Sequence, residues 1–305
     1  MKTCICICIL FSGILLLNGC APKQIEETLY LGDAKIKAPI TTPPLHLNIK
    51  SNPGEVTFSP KLSVTNSRNM LATSDEAFTG TATLPDGSVY RTRTQNIEWV
   101  YNRYLFGLDM DLKVSRRFAF FGGLSFSNEN YLGGNIGIGF FSYLTEPIVR
   151  FDLGLTFQEC KYDAITIFDR VIQDWSGNVT KNRYLYHDVG EETNFNPFFT
   201  ITFNSNNDSA LVNYFVNAGY FIQQLLDYSP GTTRYEDPFF NTTTTTTDKR
   251  PDCSAGFIYI NPGISLSIAP DIRILISAKL LKETILQLDS GSIIIMPNVQ
   301  FDFQL

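Results

Sequence analysis

The 305-residue sequence is short of charge, of histidine and of long apolar runs. Charged side chains make up 18% of it, below the roughly 25% of an average soluble protein. A charged surface is therefore not what keeps the chain in place. His46 and His187 are the only histidines, and neither has the cysteine or histidine neighbours that a zinc site of three or four ligands requires. No metal or cofactor is implied. Against 30 Asp and Glu stand 24 Lys and Arg, a formal charge of −6 with no basic run, which argues against nucleic acid as a partner. The apolar run from Cys4 to Leu17, broken by Ser12 and Gly13, is too short and wrongly flanked for a spanning helix. Behind Lys2 it reads instead as an export signal over residues 1–19. Cysteine is nearly confined to that lead: Cys4, Cys6 and Cys8 leave with it, Cys20 follows at once, and only Cys160 and Cys253 remain.

What the chain does have is a dyad pattern. Phe106, Leu108, Met110, Leu112 and Val114 alternate with Gly107, Asp109, Asp111 and Lys113, so every apolar side chain falls on one strand face. Ser115-Arg116-Arg117 turns the chain, and Phe118, Phe120, Leu124 and Phe126 resume the pattern. The alternation recurs in Val149 to Phe157, Phe199 to Phe203, Ile258 to Ile268, Ile272 to Leu280 and Ile293 to Leu305. Val56 to Val64 gives a weaker first strand, in which Pro60 must sit at an edge or a bulge. Counting from Val56 predicts about ten strands, with eight also compatible. The turns near 115, 145, 204 and 269 are short, and the connections 67–96, 161–193 and 227–252 are long and polar. Residues 20–54, with Pro39, Pro43, Pro44 and Pro53, read as a tether or lead-in, and 55–305 as one β domain.

Alternation alone leaves open which face is inside. The polar face is mostly Gly, Ser, Thr and Asn with charges of both signs, Asp109, Asp111, Lys113, Arg150, Asp152, Arg273, Lys279 and Asp302. That composition suits a crowded lumen. The other face is almost unbroken Phe, Leu, Ile and Val over about ten residues per strand, enough for a tilted strand to cross a bilayer. The expected fold is all-β, an antiparallel up-and-down transmembrane β-barrel. The strand series and the ending Val299-Gln300-Phe301-Asp302-Phe303-Gln304-Leu305 resemble bacterial outer-membrane β-barrels, with Leu305 where a terminal aromatic is usual. The tetrad Leu17-Asn18-Gly19-Cys20 resembles the lipobox of bacterial lipoproteins. These resemblances imply a Gram-negative cell outer membrane location, a lipid on Cys20, long loops at the cell surface, both barrel ends on the periplasmic side, and assembly machinery that reads the last strand.

The candidate chemistry is sparse. The eight lumen charges either line a narrow solute path or fill a small barrel by pairing, and the ten-strand size favours filling. Cys160 and Cys253 can form a disulfide in an oxidising compartment or remain small free hydrophobes. His187, beside Asp188 and near Glu191 and Glu192, could serve a hydrolase at the rim, yet no nucleophile accompanies it. Trp99, Tyr101, Tyr104, Tyr143 and Tyr162 fit interfacial girdles or ordinary strand preference. The function expected is non-enzymatic: structural, adhesive or small-solute passage with an occluded lumen. A periplasmic, lipid-anchored lipocalin-like carrier and the rim hydrolase are the alternatives. No motif names a substrate or fixes an oligomeric state.

Overall fold

A computed structural model of the chain describes residues 24–47, 53–65, 69–74, 80–83, 89–92, 95–101, 103–142, 148–173, 177–205, 210–226, 231–236, 245–248, 254–284 and 293–305. Cys20, Tyr143 and Cys253 lie outside the described residues. The strands are β1 (Gln24–Lys37), β2 (Val56–Val64), β3 (Asn69–Ser74), β4 (Gly80–Thr83), β5 (Val89–Thr92) and β6 (Gln95–Val100). Then come β7 (Tyr104–Ser115), β8 (Phe118–Ser127), β9 (Leu132–Ser142), β10 (Ile148–Gln173), β11 (Val179–Asn204) and β12 (Val212–Gln224). The series ends with β13 (Gly231–Glu236), β14 (Thr245–Asp248), β15 (Ser254–Ala269), β16 (Ile272–Glu283) and β17 (Ile294–Gln304).

Ten of these close an antiparallel barrel in the order β2-β7-β8-β9-β10-β11-β12-β15-β16-β17 and back to β2. Closure removes the free edges an open sheet would expose. At the short-turn end the seam is fastened by Leu305 N–H to Val56 O at 2.9 Å and Val56 N–H to Leu305 O at 3.1 Å. Pro60 sits within this ring rather than at an edge: it pairs with Leu108 of β7, while the ladder from β17 to β2 passes from Lys61 to Phe58 with no partner recorded for Pro60. A residue without an N–H interrupts one ladder and leaves the register intact.

The apolar faces point outward. Phe106 and Leu108 are each 51% exposed, and Phe120, Leu124, Phe151, Leu153, Phe199, Ile258, Ile276, Ile295 and Phe301 stand with them. This is the opposite of a lipocalin, whose apolar face lines its cavity. A belt of this extent far exceeds the apolar patch of a water-soluble monomer, and lipid is the solvent that suits it.

Three polar stretches differ from expectation. Residues 161–193 are not a loop: β10 and β11 run straight through as 26-residue strands, paired from Ile148–Asn204 to Gln173–Val179. β9 accompanies β10 only as far as Gln158, so the hairpin stands above the barrel rim. Within 67–96 lies the small β4–β5 hairpin, and 227–252 includes β13 and β14. Residues 24–37 are the strand β1, paired with β10 from Lys37–Lys161 to Gln24–Gln173. On its other side β1 pairs with β6 and β13, giving a sheet that continues the barrel wall on the long-loop side.

Candidate functional site

The lumen is filled by the protein's own chain. At Lys37 the main chain leaves β1 and enters the barrel, where residues 38–47 are all buried. Ala38 N–H donates to Val100 O at 3.2 Å and Ala38 O accepts from Trp99 Nε1 at 3.1 Å, which fixes the entry. Deeper in, Gln223 Nε2 donates to Pro39 O at 2.8 Å, and Thr41 Oγ1 bonds Gln158 Oε1. Lys279 Nζ donates to Thr42 Oγ1 and Pro43 O, both at 2.7 Å, and Gln300 Nε2 to Leu45 O at 3.0 Å. His46 packs against Phe121 with ring centroids 4.9 Å apart and the planes tilted by 42°. The described chain resumes at residue 53, and Gly54 N–H reaches Lys113 O at 2.7 Å beside the short turns. Its prolines suit the role: Pro39, Pro43 and Pro44 bring no N–H that the lumen must satisfy.

Two environments surround this thread. Toward the long-loop mouth it is apolar, with Ile36, Ile40 and Trp99 packed among inward-facing Phe198, Phe221, Phe257, Leu281 and Met296. Trp99 is wholly buried and Tyr101 nearly so. They seal the mouth instead of forming a lipid girdle. Tyr162 reaches the Asp188 carboxylate at 3.5 Å.

Toward the short turns the lining is charged. Arg150, fully buried, donates through Nη1 and Nη2 to Asp111 at 2.6 and 2.9 Å and through Nε to Asp152 at 2.6 Å. Its guanidinium also lies 4.9 Å from the Phe141 ring centroid. Lys61 binds Asp109 at 2.5 Å, and Asn135 Nδ2 donates to the same carboxylate at 2.8 Å. Glycine makes the room: a Cβ on Gly139 would stand 2.7 Å from both Arg150 Nη2 and Asp152 Oδ1, and one on Gly123 would collide with Asp109 Oδ1.

All eight charges singled out from the sequence lie on inward-facing strand positions, but they do not form one pore lining. Asp111, Arg150 and Asp152 form one ion-paired cluster, and Asp109 a second with Lys61 and Asn135. Lys113 stands 5.3 Å from the Phe141 ring centroid. Asp302 accepts from Ser59 Oγ at 2.7 Å and Gln300 Nε2 at 2.8 Å, across the ladder from Arg273. Lys279 spends its bonds on the thread, a role that no spacing in the sequence signals. Lys61, Gln158, Gln223 and Gln300 were likewise missed, because a neutral or lone polar residue on a strand face looks the same whether it meets water or a strut.

Outside the barrel the chemistry is exposed and paired. His187 Nε2 lies 2.6 Å from Asp163 Oδ1, not against Asp188, and both members are more than half exposed. Among the described residues no group of three or more His, Cys, Asp and Glu could hold a metal ion. Cys160 is a buried thiol, and Cys253, its expected disulfide partner, lies outside the described residues. Burial pushes the Cys160 thiol up to about 11, against the hydrogen bonds from Gln158 and Asn194. A cleft of about 780 Å³ opens above the apolar belt between Lys35, Lys37, Lys161, Tyr131 and Glu191. Burial and the nearby Glu129 charge raise the Tyr131 phenol to about 12.

No family description matches the chain, and no curated protein does. Among solved structures it is similar to the outer membrane protease OmpT from Escherichia coli, at 9% identity over 93% of this chain and 96% of that one, with a TM-score of 0.35. The attachment invasion locus protein Ail of Yersinia pestis, in complex with the heparin analogue sucrose octasulfate, matches at 9% identity over 83% and 99%, TM-score 0.25. The toluene transporter TbuX of Ralstonia pickettii matches at 7% over 83% and 90%, TM-score 0.31. Overlaps this loose carry no reading of function. The barrel is established by its own strand pairing.

Proposed function

We propose that the protein is an outer-membrane barrel of structural or adhesive type, with its lumen closed and its working surface on the long-loop side. The observation that carries this is the thread: residues 38–47 occupy the lumen, bonded to β10, β12, β16 and β17. A solute path would have to displace a buried segment held by Lys279, Gln223 and Gln300. Meanwhile β10, β11, β1 and β6 build a sheet beyond the rim, braced by Arg170–Glu27 at 3.3 Å, Lys181–Asp169 at 3.2 Å and Lys35–Glu98 at 3.2 Å. The uncharged outward belt supports lipid as the surrounding solvent. A lipocalin-like carrier has no support from these faces, and the His187–Asp163 pair is more than half exposed.

Planar bilayers test the reading. The purified full chain should fold in detergent with heat-modifiable migration and give no discrete conductance steps. A protein soluble without detergent would remove the membrane barrel, and regular steps from the intact chain would remove the closed lumen.

A further inference from the structure

We infer that this barrel is threaded by its own chain from the long-loop side, so that the residues preceding β1, Cys20 included, lie across the membrane from Val56 and Leu305. The inference rests on the membrane-barrel reading proposed above and goes beyond it. A tether leading into Val56 from outside the barrel would leave the lumen and the β10 edge untouched. Instead, three independent sets of contacts fix the path. Above the rim, β1 is antiparallel to β10, so Lys37 lies at the mouth and Gln24 opposite Gln173 near the hairpin tip. In the lumen, the order of anchors along residues 38–47 follows depth. Trp99 holds Ala38 at the mouth, Gln158 holds Thr41 where the pairing with β9 ends, and Gln300, four residues from the foot of β17, holds Leu45. At the far mouth, Gly54 and Val56 join the ends of β7 and β17.

Chain reach keeps Cys20 on the side of Gln24. The paired length from Lys37 to Gln24 is about 43 Å at the rise of a β-strand. Four residues span at most about 14 Å, so whatever path they take, Cys20 cannot return to the rim, still less pass to the other side. A lipid carried by this cysteine would be displayed on the long-loop face, not in the leaflet where the short turns lie.

The test compares three single cysteines in a full-length Cys253→Ser background, reacted on intact cells with a membrane-impermeant maleimide and scored as the increment over the parent. Lys181→Cys reports the long-loop face and Arg116→Cys the short turns. On intact cells Lys23→Cys should label as Lys181→Cys does, whereas Arg116→Cys should label only after the outer membrane is permeabilised. Labelling that tracks Arg116→Cys overturns the threading while leaving the barrel reading in place, since heat-modifiable migration reports the barrel separately. A second measurement does not depend on that site: Ala34→Cys with Ala164→Cys, partners across β1 and β10, should form a disulfide in the folded protein. A heat-modifiable barrel in which this pair stays reduced under oxidation overturns the docking of β1.

Discussion

Replacing Arg150 by Met removes the guanidinium and keeps most of the stem volume. Three bonds of 2.6 to 2.9 Å disappear, and the Asp111 and Asp152 carboxylates, 12% and 1% exposed, are left facing each other's charge. Asp152 retains a hydroxyl from Thr200 at 3.4 Å. Breaking a buried ion pair from one side typically costs about 3 to 5 kcal/mol, because the stranded charge has lost its water and its partner. That is a large part of the roughly 5 to 15 kcal/mol that holds a domain folded. The expected result in reversible urea unfolding from detergent or vesicles is a loss of that size, followed through tryptophan fluorescence. Adding Asp111→Asn and Asp152→Asn should recover most of it, since neutral groups of similar shape replace buried ion pairs at little net cost. A loss below about 1 kcal/mol, the range of exposed pairs, would refute the argument by showing that water reaches the network.

Other outcomes follow from the same geometry. Leu108→Arg, in the middle of the outward belt, should cost about 2 to 4 kcal/mol in lipid vesicles, and a loss below about 0.5 kcal/mol, the range of an ordinary water-exposed substitution, would contradict lipid contact. Cys160 should resist alkylation in the folded protein at pH 8, where burial keeps the thiol protonated and out of reach; mass spectrometry after urea should reveal it reacting. Burial disfavours the charged form of Asp169, but bonds from Arg183 and Lys181 outweigh it and hold the carboxyl below its usual value. Its contribution is therefore present above the ordinary carboxylate range and lost as pH falls through the lowered value. Hydrogen-exchange protection of the upper β10–β11 hairpin, corrected for intrinsic rates, should drop below about pH 4 and persist above it.

The ring of ten strands was legible because lipid on one side and a lumen on the other impose an unbroken dyad, as in Phe106 to Val114 and Ile293 to Leu305. Where that two-solvent contrast ends, legibility ends with it. The upper halves of β10 and β11 carry Tyr, Asp, Lys and Thr on both faces and so read as loop, although their backbone pairing continues without a break from Ile148 to Gln173. The thread was hidden for a different reason. Its stability comes from partners far away in sequence, Gln158, Gln223, Lys279 and Gln300, and its proline-rich composition is shared with flexible tethers. The inward charges were found as types and faces, but only geometry separates the Arg150 network from Lys279, whose bonds go to the thread's neutral oxygens.

The seam between β2 and β17 gives the thread a temporal meaning. A rod inside a closed ring cannot enter from the side, and sliding in end-on would draw the whole of β1 through a mouth sealed by Trp99 and Phe257. Laying residues 38–47 across the growing sheet before Leu305 meets Val56 would let the wall wrap around them as a mandrel. The final hydrogen bonds of the barrel would then decide which side of the membrane the first strand occupies, and a wall that closed empty would be a kinetic dead end rather than an open channel awaiting its plug.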